Sequence, residues 1–521
     1  MSEPQRSIAQ HYHERTKYDP ETIAAKNKRL DWENQPTPYK DYKVGVTFDL
    51  KPYLQDDAQA DATEPAKSWR RLSRLLLCSY GLTARMETLM GSPIYLRAAP
   101  SAGGLYPAEV YLISRGTSLL PPGLYNYQCR SHSLVHFWES AVWSGLQDAC
   151  FFHPVLERVE LAIVVTAIFY RSAWRYEDRA YRRIFLDTGH LLGNIELAGA
   201  LTGYRPHLIG GFADRKVNDL FYIDPEQEGA IAVIPLIDRF KRQQKLPPVS
   251  TALPSATQVD YPEVPEGELL GYFHRATQIE EKRHQPIETR QSDDSEMERQ
   301  REDKYNFPFC TKVSTVTTPI YWGGVTAEGL VSSALENTIL KRRSTRAYNG
   351  ANLTFDELKA LLDFTYQPQH YADQGFDSSP DYFDLSLIET FIAVSGITGL
   401  EEGCYYYAPK AQELRQIRFK NFRRELHYLC LGQDLGRDAG AVLFNTSDLN
   451  QAVAKYGDRA YRYLHMDAGH LGQRLNLVAI YLGLGVSGIG GFFDNQVNEV
   501  LGIPIDEAVL YITTLGRPRM S

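Results

Sequence analysis

Three residues just past a helical run, Arg342, Ser344 and Arg346 in KRRSTRAY, set two guanidinium groups and a hydroxyl close together. That combination suits a phosphate, whose oxygens match the planar guanidinium fork. A basic helix end complementing the helix dipole explains the same residues. Arg517 and Arg519, after the last apolar run, could add a second cationic clamp. Gly488-Ile489-Gly490-Gly491 is nearly bare of side chains, so its backbone N–H groups can approach a ligand ring, or simply turn the chain from helix to strand. Pro100-Ser101-Ala102-Gly103-Gly104 is a second loop of this kind. Together the four pieces could build a site for a phosphorylated, ring-bearing cofactor.

The elements that must position them come in two copies. Tyr176, Asp178, Arg179, Tyr181, Arg182, Asp187, Gly189 and His190 return 280 residues later as Tyr456, Asp458, Arg459, Tyr461, Arg462, Asp467, Gly469 and His470. Polar residues and glycines would not stay in step over such a run through a shared helix pattern alone, so the chain reads as a tandem duplication of domain-sized units. Within each unit the pattern predicts a helix with its apolar face at Leu72, Leu75, Leu76 and Tyr80, short strands at Gly123 and Ser133, a buried strand at LAIVVTAIFY, and a long helix carrying DTGH or DAGH. Thr354 and Glu357 have capping-box spacing at the head of another helix. The last strands, AIAVIPLIDR and VLYITTLGRPR, align at the same offset. Residues 1–60 are expected as an N-terminal extension, 61–242 and 319–521 as the two domains, and the Pro-rich, highly charged stretch 243–318 as a partly disordered linker.

Composition narrows the function. A chain of 521 residues with 43% hydrophobic residues and a net charge of −8 is an ordinary globular protein with no general affinity for nucleic acid or anionic lipid. No apolar run is long enough to span a bilayer, and the amino terminus has no signal-like core, so the expected location is the cytoplasm. The six cysteines are isolated, without metal-ligand spacing, and no metal is expected. His190 and His470, shared by both copies, are expected to bridge helices, and Asp178-Arg179 and Asp458-Arg459 to form structural ion pairs.

RRSTR, PSAGGLYP, IGGF and the basic carboxy terminus, in this order, resemble the FMN-dependent nitroreductase superfamily. KYGDRAYR with DAGH, and HYHERTKYDPETI near the start, are most similar to SagB-type dehydrogenases, which oxidise azolines to azoles in peptides. The resemblance covers both copies. It implies an α+β fold, a central mixed and mostly antiparallel sheet flanked by helices, and FMN held between two such domains, here as an intrachain pseudo-dimer. It also implies roles. Arg342, Ser344, Arg346, Gly488, Ile489, Gly490, Gly491, Arg517 and Arg519 of the second copy would hold FMN together with Pro100, Ser101, Ala102 and Gly103 of the first. Lys455 and Tyr456 match the pair thought to remove the substrate proton in the azoline dehydrogenases, and a desolvated Lys can act as a base.

The copies have diverged in complementary ways. The first has no arginine where RRSTR would fall, and the second has Asp381 and Asp384 in its Pro-Ser loop. One FMN per chain is therefore expected, with a small-molecule or peptide substrate and a monomer as the simplest assembly, a homodimer being the other. An NAD(P)H-dependent nitro or quinone reductase and a non-catalytic binding protein of the same fold are the alternatives.

Overall fold

The structure is a computed structural model and describes residues 6–25, 30–54, 63–87, 93–241, 251–280, 302–314, 316, 320–326, 329–331 and 333–519. Two seven-stranded sheets share one topology. The first contains β1 (Val46–Asp49), β2 (Ala108–Ser114), β3 (Gly123–Gln128), β4 (Ser133–Trp138), β5 (Leu161–Ile168), β6 (Tyr204–Pro206) and β7 (Glu228–Asp238). Its spatial order is β1-β4-β3-β2-β5-β7-β6, every pairing antiparallel. The second contains β8 (Phe309–Lys312), β9 (Glu389–Val394), β10 (Gly403–Ala408), β11 (Glu413–Arg418), β12 (Ala441–Asp448), β13 (Gly485–Ile489) and β14 (Glu507–Gly516), ordered β8-β11-β10-β9-β12-β14-β13. The amino-terminal strand β1, expected within an extension, is thus an edge of the first sheet.

The helices that matter to the site are α1 (Ile8–Arg15), α2 (Glu64–Tyr80), α3 (Phe169–Tyr176), α4 (Ala180–Thr202), α5 (Leu269–Ala276), α6 (Ser333–Lys341), α7 (Phe355–Tyr366), α8 (Leu449–Tyr456) and α9 (Ala460–Tyr481). Thr63 caps α2, which buries Leu72, Leu75 and Leu76, and Thr354 and Glu357 close the expected capping box on α7. The long helices α4 and α9 are buried on nearly every side, which their apolar and small residues allow. They cross at Gly189 and Gly469, where a Cβ on either would collide with the other helix's backbone, at Met466 O or Leu186 O. One hydrophobic core runs through both halves, and smaller cores cover the outer face of each sheet.

β5 pairs Ile168 with Glu228, and β12 pairs Asp448 with Glu507. The turn before the last strand is therefore one residue shorter in the second half, and Arg517 is the counterpart of Asp238, not of Ile237. The stretch 251–280, expected as linker, packs into the interior with Ala252, Val264, Leu269, Leu270 and Phe273 buried, while 242–250 and 281–301 lie outside the described residues.

That stretch contains a second copy of the amino-terminal segment. Arg182 donates to Thr16 Oγ1 (3.0 Å), the His13 carbonyl (2.7 Å) and Asp494 (2.7 Å). Arg462 donates to Thr277 Oγ1 (2.8 Å), the His274 carbonyl (3.1 Å) and Asp214 (2.8 Å). Arg179 and Arg459 complete the same two carboxylates at 2.9 and 2.6 Å, and the Tyr18 and Ile279 N–H groups also donate to them. Each carboxylate comes from the opposite half to its arginines, so the ion pairs expected within Asp-Arg dipeptides instead cross between halves. Asp178 and Asp458 accept backbone N–H groups of the two docked segments. No described helix is long and apolar enough to cross a membrane.

Candidate active site

A cleft of about 380 Å³ opens between the halves, lined from the first by Pro100, Ser101, Ala102, Gly103, Arg175, Arg183, Leu186, Asp187 and His190 and from the second by Ser344, Arg346, Asn476, Gly488, Gly490 and Tyr511. The Pro-Ser loop is fixed by one carboxylate. Ser101 Oγ donates to Asp187 (2.5 Å) and accepts from the Tyr106 N–H (2.9 Å), while the Ala102 N–H donates to both Asp187 oxygens (3.1 Å). Gly103 and Gly104 then turn with φ of 65° and 67°, where a side chain would strain the backbone. On the other wall the Thr345 N–H donates to the Val486 carbonyl (2.8 Å), laying the RRSTR segment beside β13.

Helix α3 ends at Tyr176, and the chain enters α4 through Glu177 at φ 49°. This break brings Arg175 and Tyr176 against Gly103 and sets Arg183 beside Gly490, so close that a Cβ at residue 490 would collide with it. The cleft floor is polar and internally satisfied. Gln473 donates to Asn194 Oδ1 (2.6 Å), so its oxygen accepts from His190 Nδ1 (2.9 Å), and His190 Nε2 accepts the Tyr511 hydroxyl (2.8 Å). Burial lowers the His190 pKa to about 3, keeping the ring neutral. Burial also raises Asp187 to about 7, against the hydrogen bonds from Ser101 and Ala102 and the charge of Arg183. Arg175, Arg183 and Arg346 make no ion pair with any described residue. No described group accepts from the Gly490 or Gly491 N–H. The cleft thus offers cations and amides to an anionic, flat ligand.

Several expected residues lie elsewhere. Arg342 is buried and donates to the Ala98 (2.8 Å) and Arg97 (3.2 Å) carbonyls of the first half, so it positions the strand entering Pro100 and does not line the cleft. Burial pushes its pKa down to about 10, which still leaves it charged. Arg517 pairs with Glu357 (2.8 Å), the Arg519 side chain is exposed, and Ile489 points into the outer core of the second sheet, as strand alternation requires. Gly491 packs on Leu431 and Tyr18 just outside the cleft.

Lys455 and Tyr456 do not reach the cleft either. Lys455 Nζ lies 2.6 Å and Tyr456 Oη 3.1 Å from Asp384, at the pseudo-symmetric location where the second half's Pro-Ser loop meets its own α8. The approximate two-fold relating the halves brings residues 175 and 176 to the open cleft and 455 and 456 to its twin.

The twin is filled. Tyr382 stacks on His470 at 4.3 Å and Phe383 on Tyr463 at 4.8 Å, against Gly210. Thr251 O accepts the Gly210 N–H (2.7 Å), and Leu253 covers Gly211. Asp381, despite burial that favours its neutral form, is held below the usual carboxylate range by His207 (2.5 Å) and Arg205 (3.0 Å). Tyr463 stands where the open cleft has Arg183, Glu196 where it has Asn476, and Ala232 where it has Tyr511. These differences between copies were the available signal for Arg183, Asn476 and Tyr511, which sequence reasoning passed over, as it did Arg175, Leu186, Asp187 and, as a site residue, His190.

The nitroreductase family profile matches residues 48–236 and 339–517. The crystal structure of a nitroreductase-like protein from Anabaena variabilis ATCC 29413 is similar over 99% of this chain and all of its own, with 69% identity and a TM-score of 0.91. A nitroreductase-like protein of Methanocaldococcus jannaschii is 34% identical over 183 residues, 35% of this chain and 90% of that one. The trifolitoxin-processing protein of Rhizobium leguminosarum bv. trifolii is 30% identical over 145 residues, 26% of this chain and 38% of that protein. One family profile matched twice on the chain, each time over one of the two like-ordered sheets that share the cleft, makes this a tandem, α+β member of the nitroreductase family.

Proposed function

We propose that the chain is an FMN-dependent oxidoreductase with one FMN, held in the cleft between its halves, acting on a small molecule. The observation that carries this reading is the asymmetry of the two clefts. One presents Ser344, Arg346, Arg183 and the Gly490 N–H without acid partners among the described residues, and the other is closed by Tyr382, Phe383, Thr251 and Leu253. The donor set fits the cofactor. Arg346 and Ser344 would take its phosphate, and the glycines at 488 and 490 leave room for its ring. When bound, FMN supplies hydride transfer to or from the substrate. Tyr511 and neutral His190 hold a fixed hydroxyl at the floor, and the Pro-Ser loop, pinned by Asp187, forms the facing wall.

Position 175 bears on the direction of the chemistry. An arginine stays protonated and cannot take a proton from a substrate carbon as a lysine could, so the cleft lacks the Lys-Tyr pair that azoline oxidation calls for. Reduction of a nitro or quinone acceptor with NAD(P)H as donor needs no such base, and is the reading favoured. Release and quantification of flavin from purified protein tests the proposal. About one FMN per chain is expected, sharply reduced in both Arg346→Ala and Ala102→Trp, which lie in different halves. Two flavins per chain, or full flavin in both variants, would sink it.

A further inference from the structure

Arg183 is 7% exposed, faces the cleft, and has no carboxylate partner among the described residues. Its guanidinium lies 3.8 Å from the centre of the Tyr176 ring, Nη2 is 3.4 Å from the Tyr18 hydroxyl, and Nε has no hydrogen-bond partner among the described residues. A buried guanidinium left this incomplete costs stability unless an anion finishes it. This geometry is not repeated at the closed site, where Tyr463 of the second half replaces the arginine and bonds the Gly210 and Leu253 carbonyls. Arg175 stands on the rim of the same wall, exposed, with its stem against Gly103 and Tyr176 beneath it. The one carboxylate of the cleft, Asp187, is already engaged by Ser101 and Ala102.

Ser344 and Arg346 come from the second half and occupy the opposite wall. If they take the cofactor's phosphate, as the reading above has it and on which this step rests, Arg175 and Arg183 are left for the substrate. We propose that the substrate carries an anionic group, a carboxylate or a phosphate, gripped between Arg175 and Arg183, with its apolar body on Tyr176. A planar guanidinium forks onto either anion, and the aromatic ring behind Arg183 keeps the fork in place. Selectivity in this cleft is then by charge.

Calorimetric titration of the full-length, flavin-quantified protein with 4-nitrobenzoate and with neutral 4-nitrobenzamide tests this, since the two probes share shape and differ in charge. The benzoate should bind about tenfold tighter or more, equivalent to one charge-assisted contact. Arg175→Gln, at an exposed position, should bring that ratio close to one while leaving flavin per chain unchanged, and Arg183→Lys should weaken it in part. Equal affinities in the parent protein, an unchanged ratio in both variants, or a ratio lost only in Arg346→Ala would each overturn the proposal. A charge preference that depends on Arg175 in protein devoid of flavin would leave this inference standing and defeat the cofactor assignment instead.

Discussion

At the scale of single residues, Asp187 joins fold and site, because the same carboxylate pins the Pro-Ser loop and adjoins Arg183. Its folded pKa of about 7 lies above the ordinary carboxylate value, so the native state binds the proton more tightly than the unfolded chain does. The stability it contributes is therefore fully present below about pH 4 and declines as pH rises through about 7. Urea unfolding of the parent and of Asp187→Asn at pH 5 and pH 8 isolates this group, since other titrations cancel in the difference. The parent should lose a few kcal/mol relative to the variant between the two pH values; a difference independent of pH would refute the assignment. Residue types were legible in the sequence where one copy carries a motif intact, as with Ser101 of the first and Ser344, Arg346, Gly488 and Gly490 of the second. They were not legible where the answer depended on which copy faces which. Lys455-Tyr456 and Arg175-Tyr176 are equally good matches as strings, and only the crossing of α4 over α9 decides that the arginine pair meets the cleft.

At the scale of elements, the segments around α1 and α5 act as matched clasps. Each lays a His carbonyl and a Thr hydroxyl onto an arginine of one long helix, and each arginine pair shares a buried aspartate from the far half. The repetition escaped sequence reading because only His13/His274 and Thr16/Thr277 are identical across it, and because much of its hydrogen bonding uses backbone carbonyls that any residue could offer. The central duplication was visible because buried arginines, aspartates and close-packed glycines tolerate little change. Removing one partner of a fully buried pair leaves the other uncompensated, so Asp214→Asn and Asp494→Asn should each lower unfolding free energy by about 3–5 kcal/mol. Lys420→Ala, which removes a surface partner of Glu425, should change it by less than about 1 kcal/mol. Denaturant titration of the three variants checks the ranking, and a buried-aspartate variant as mild as the surface one would contradict the clasp.

At the scale of the whole molecule, a chain with two family domains would ordinarily unfold in two steps, since separate cores melt separately. Here the halves do not have separate cores. The main hydrophobic cluster includes residues of both, α4 and α9 bury each other, and each clasp ties its arginines to a carboxylate across the molecule. Neither half can expose its share of that interface without abandoning buried charges that the other completes. Differential scanning calorimetry should accordingly give one transition for the full chain. Asp214→Asn, although it disturbs only one of the two clasps, should move that transition down as a unit and leave it single. Two resolved transitions, with one of them unmoved by the substitution, would mean that the halves are energetically independent. The cleft would then join two autonomous domains, and the loss of one site could not be explained by the molecule folding as an indivisible pair.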